Sequence, residues 1–80
     1  MYGDGVSNEE LLEDIRLNEL ESDAYYNIYN GFRVLSNLPE NEGVNRRTYE
    51  FEYQKYLNLL NQCNKFLEKL KSLKAERNLL

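Results

Sequence analysis

At 80 residues, 41% hydrophobic and 30% charged, the chain is one small domain, too apolar for a disordered tail. It lacks the run of roughly 20 apolar residues that crosses a bilayer, so no membrane association is expected. The net charge of −4 opposes non-specific attraction to nucleic acid, and the absence of histidine removes the commonest general acid–base and metal ligand.

The N-terminal stretch "MYGDGVSNEE" has neither a basic region nor an apolar core, so it reads as a flexible arm over residues 1–6 rather than as a signal peptide. Ser7-Asn8-Glu9-Glu10 has the S-x-x-E form of a capping box, in which the Ser7 hydroxyl accepts from the Glu10 amide. Val6 and Leu11 stand where a hydrophobic staple closes the entry to the helix. These signals start a first helix over about 7–37.

Within that helix Leu17, Leu20, Ala24, Ile28, Leu35 and Leu38 fall inside an arc of about 80° at 100° per residue. That face keeps its phase across Asn30-Gly31, a pair that otherwise signals a tight β-hairpin. A glycine inside a helix costs about 1 kcal/mol relative to alanine, which packing can absorb. The reading is therefore a continuous helix whose Leu17–Leu38 face lies inside a hairpin. A break near Ser22-Asp23, where a new N-cap could form, would give three helices instead.

Leu38-Pro39 stops the helix, since Pro39 pushes Leu38 out of helical φ/ψ and has no amide donor. A loop over 38–45 follows, with a second start at Asn45, or at Thr48 with Val44 and Tyr49 as a staple. Beyond it Tyr49, Tyr53, Tyr56, Leu60, Cys63, Leu67 and Leu70 alternate spacings of four and three, a seam of heptad type. This predicts a second helix over about 46–78, and a single helical domain over 7–80.

Charge gives the orientation. Residues 1–24 hold the acids Asp4, Glu9, Glu10, Glu13, Asp14, Glu19, Glu21 and Asp23 against one base, Arg16. Residues 65–80 hold Lys65, Lys69, Lys71, Lys74 and Arg77 against Glu68 and Glu76. Folding at the 38–45 loop brings residue i near residue 83 − i, so that Glu9 faces Lys74 and Asp14 faces Lys69. Acids at a helix start and bases at a helix end also suit both macrodipoles. The expected fold is thus an all-α antiparallel helical hairpin, completed by self-association or by a partner.

The alternative is an α+β fold with a short hairpin in 25–52, in which "GFRVLSN" and "NRRTYEF" are strands between two helices. That order resembles the small α-β-β-α head–tail joining proteins of tailed phages. The resemblance covers about the middle half of the chain and rests on the order of elements, and it implies a role in the virion.

No catalytic, cofactor-binding or metal-binding set is expected. A Cys-His or Ser-His nucleophile pair is impossible without histidine, no Gly-rich phosphate loop is present, and Cys63 falls on the helical seam as an inert thiol. A lone cysteine allows no internal disulfide, which fits a cytoplasmic location.

What remains is a surplus of apolar residues. Leu11, Ile15, Tyr25, Tyr26, Tyr29 and Phe32 lie opposite the Leu17–Leu38 face and are expected to form a partner interface. Leu59, Phe66 and Leu73 flank the second seam. Glu9, Glu10, Glu13 and Asp14 are expected to steer the approach by charge. The functional expectation is a non-enzymatic protein–protein interaction or assembly module. Its partner would be a second copy, giving a four-helix bundle, or a heterologous protein. An acidic inhibitor docking on a basic site is the alternative. A virion component or DNA-associated regulator comes third, nucleic acid being disfavoured as a direct partner.

Overall fold

A computed structural model describes residues 5–79. Two long helices, α1 (Asn8–Asn37) and α2 (Val44–Glu76), are joined through a 3₁₀ turn at Pro39–Asn41 and pack antiparallel as a hairpin. The first four residues of the expected arm lie outside the described residues.

Each helix end has a chemical cause. At the start of α1, Ser7 is extended (φ −72°, ψ 162°), and its Oγ accepts from the Glu10 amide at 3.1 Å. Val6 packs against the cluster that holds Leu11, as a staple requires. At the other end Leu38 is extended ahead of Pro39. The freed carbonyls of the last turn are taken up from beyond the helix. Leu35 O accepts from Asn41 Nδ2 at 2.9 Å, and Ser36 O accepts from Arg46 Nε at 2.9 Å. A guanidinium at a helix C-terminus is also favoured by the macrodipole.

Helix α2 begins at Val44, ahead of both sequence candidates. Gly43 precedes it with φ 75° and ψ −127°, a conformation open to glycine and strained for other residues. The Thr48 hydroxyl does not cap; it donates backwards to Val44 O at 3.0 Å. Val44 is exposed, so the Val44–Tyr49 staple does not form. The end of α2 is a Schellman motif with Asn78 in the left-handed conformation (φ 56°). The Asn78 amide donates to Ala75 O and the Leu79 amide to Lys74 O, while Leu79 packs on the core beside Leu73.

Helix α1 runs unbroken through Ser22-Asp23 and through Asn30-Gly31, so neither the third helix nor the tight turn forms. Ser22, the alternative cap, instead donates its hydroxyl to Asn64 Oδ1 on α2 at 2.7 Å. Among the described residues there is no strand, which removes the α+β alternative and the resemblance built on it.

The main correction concerns which face of α1 turns inward. The buried seam is Leu11, Ile15, Asn18, Ser22, Tyr25, Tyr29, Phe32 and Ser36, alternating four and three like the seam of α2. Leu17, Leu20 and Ile28 are 47%, 56% and 39% exposed, so most of the expected inner face looks outward, while Leu35 and Leu38 at its loop end are half-buried. The physical reason is what stands opposite. The inward face sets Leu11 and Ile15 against Leu67 and Leu70, and the rings of Tyr25, Tyr29 and Phe32 against those of Tyr49, Tyr53 and Tyr56, like against like along α2. Three polar members, Asn18, Ser22 and Ser36, hide the true seam from a count of apolar residues. All three are satisfied where they lie. Asn18 Nδ2 donates to Asp14 O at 2.7 Å, and Ser36 Oγ donates to Arg33 O at 2.8 Å.

The core divides along the hairpin. Toward the helix termini Leu11, Ile15, Leu67 and Leu70 form a buried aliphatic cluster, closed by Val6, Leu73 and Leu79. Leu60 and Cys63 continue it, and Cys63 Sγ–H points to Asn18 O at 3.4 Å. Toward the loop the aliphatics give way to rings. Tyr29 meets Tyr53 edge-on at 5.8 Å, and Phe32 stacks on Tyr49 and Tyr56 at 6.1 and 6.0 Å. These separations suit aromatic pairs worth about 0.5–1.5 kcal/mol each beyond their area burial.

The molecule is long and thin, 51 × 22 × 15 Å, with a radius of gyration of 17.0 Å. A compact chain of this length would have a radius of about 12 Å. One seam of contact therefore holds the fold, and two broad sides of the hairpin are left facing outward.

Candidate interaction surface

The residues expected to meet a partner do not form one outward surface. Leu11 and Ile15 are buried inside the hairpin. Tyr25, Tyr29 and Phe32 are half-buried against the rings of α2, with Tyr25 lying 6.3 Å from Tyr56. Of the six, Tyr26 alone projects, at 55% exposure. The aromatic set is thus the fastening between the helices. The Tyr25 hydroxyl donates to Glu21 Oε1 at 2.9 Å, and that bond, with some burial, raises the tyrosine above its ordinary pKa.

The acidic residues at the start of α1 are placed as the sequence implies. Glu9, Glu10 and Glu13 are exposed, and Asp14 is half-buried. Glu13 holds Arg16 in a two-point contact along the helix, with Arg16 Nε donating to Oε2 at 3.0 Å. This hydrogen bond holds the Glu13 carboxyl below the usual carboxylate range and raises the Arg16 guanidinium. Across the hairpin Lys71 Nζ lies 3.4 Å from Glu19 Oε1, and Arg77 Nη1 donates to Asn8 Oδ1 at 3.0 Å. The acidic start of α1 therefore lies beside the basic end of α2. Such exposed pairs are screened by solvent; they bias direction and do not hold the fold.

The outward surface is found by following the seams sideways. Glu19 and Lys71 each follow a seam residue by one position (Asn18 and Leu70), and their ion pair shows that these flanks meet along one side of the hairpin. The positions that precede seam residues must then meet along the other side. On α1 they are Asp14, Glu21, Ile28 and Leu35; on α2 they are Glu52, Leu59, Phe66 and Leu73. Leu17 and Ala24 continue this side outward on α1, and Leu20 lies on the back of the helix, opposite the seam. Two shallow hollows lie along the outer surface of α2, one lined by Phe51, Gln54, Lys55, Asn58 and Leu59, the other by Phe66 and Leu73 among Lys65, Glu68, Lys69 and Glu76. The result is a side on which Leu17, Ala24 and Ile28 of α1 and Leu59, Phe66 and Leu73 of α2 stand, interrupted by Asp14, Glu21 and Glu52. Leu59, Phe66 and Leu73 were legible as a flank in the sequence. Leu17, Leu20 and Ala24 were legible as apolar but assigned to the inside.

The chemistry of the remaining groups is limited. Cys63 is buried, and burial, aided by the nearby Glu21 carboxylate, raises its thiol above the ordinary value, which disfavours the reactive thiolate. Among the described residues no group of three or more His, Cys, Asp or Glu is gathered so as to hold a metal ion, and no helix is long and apolar enough to cross a membrane. Comparison with protein-family models, with curated proteins and with solved structures finds no match to this chain.

Proposed function

We propose that the hairpin is a protein–protein association module whose contact surface is the outward side formed by Leu17, Ala24 and Ile28 of α1 with Leu59 and Phe66 of α2. The observation that carries this reading is the exposure of Leu17 and Ile28 on α1 and of Phe66 on α2 along one side of a fold held by a single seam. Scattered apolar residues are ordinary on a protein surface, whereas a contiguous stripe rimmed by charges marks a contact site. The stripe stands on two rigid helices, so it meets a partner with little ordering cost. The acids at the start of α1 then bias the direction of approach.

The test is a site-specific photo-crosslinker, benzoylphenylalanine, placed at Leu17 in the protein expressed in its source, with Tyr26 on the opposite side as the control position. A discrete cross-linked product from position 17 and none from position 26 is the expected result. A folded protein that gives no product from position 17 contradicts the assignment.

A further inference from the structure

We draw no further inference here: the strongest candidate, the outward surface patch of Leu17, Ala24 and Ile28 on α1 with Leu59, Phe66 and Leu73 on α2, is interrupted by Asp14, Glu21 and Glu52, and nothing in the structure shows what covers it.

Discussion

Replacing Gly31 by alanine should stabilise the hairpin. Gly31 lies inside α1, and a Cβ built there meets nothing within 4 Å beyond the helix's own neighbouring backbone. The substitution therefore adds no crowding, and it removes backbone freedom from the unfolded chain. The helix-interior difference between the two residues is about 0.8–1 kcal/mol. For a domain of this size that corresponds to a rise of about 4–8 °C in the melting midpoint. Urea and thermal melts followed by circular dichroism at one fixed protein concentration measure it, the fixed concentration removing any contribution from association. The sign is informative because the competing turn makes the opposite prediction. In a type I′ turn Gly31 would need positive φ, where alanine is strained, and Gly31→Ala would destabilise. A loss of stability, or a changed urea slope, would refute a continuous α1.

Gly43→Ala should act in the opposite direction, costing about 1–2 kcal/mol in the same melts, because φ 75° at the start of α2 is strained for a residue with a Cβ. Leu70→Ala removes a fully buried side chain from the aliphatic cluster and should cost about 2–4 kcal/mol, whereas Leu20→Ala should leave hairpin stability within about 0.5 kcal/mol. The Tyr25 hydrogen bond to Glu21 gives a pH signature. Its folded pKa lies above the ordinary value, so its contribution is whole below the unfolded tyrosine pKa of about 10 and is lost as pH rises through the folded value. In alkaline melts Tyr25→Phe should remove part of the wild type's loss of stability above that pH; an unchanged alkaline slope would contradict the bond.

The parts of the fold written in local chemistry were legible in the sequence. The Ser7 cap, the stop at Leu38-Pro39 and the four-three seam from Tyr49 to Leu70 each rest on a few neighbouring residues, and the structure shows each of them. The charge asymmetry likewise implied the antiparallel direction that the Lys71–Glu19 contact displays. The start of α2 was less legible, because Thr48 and Asn45 look like caps while the residue that turns the chain is Gly43, whose role shows only in its φ.

The inward face of α1 was not legible, for a reason particular to its residues. A count of apolar residues weighs Leu17, Leu20 and Ile28 above Asn18, Ser22 and Ser36, and both faces recur near the heptad period, so recurrence does not choose between them. Asn18 and Ser22 are tolerated inside because Cys63 and Asn64 stand opposite and offer polar contacts. Those partners become visible once α2 is laid beside α1. The candidate surface inherited the error. Tyr25, Tyr29 and Phe32 have the composition of an interface, and they do form one, between the two helices of the same chain.

The claim on which the account turns is that the aromatic seam holds the hairpin together while the Leu17–Ile28 side is free to bind. Thermal unfolding by circular dichroism of Tyr29→Glu beside Leu20→Lys tests it directly. Tyr29→Glu buries a charge against Tyr53 and should lower the midpoint steeply, by the equivalent of about 2 kcal/mol or more, while Leu20→Lys should keep its helix and its midpoint. A Tyr29→Glu variant that melts like the wild type, with Leu20→Lys unfolded, would put the faces the other way round and contradict the account.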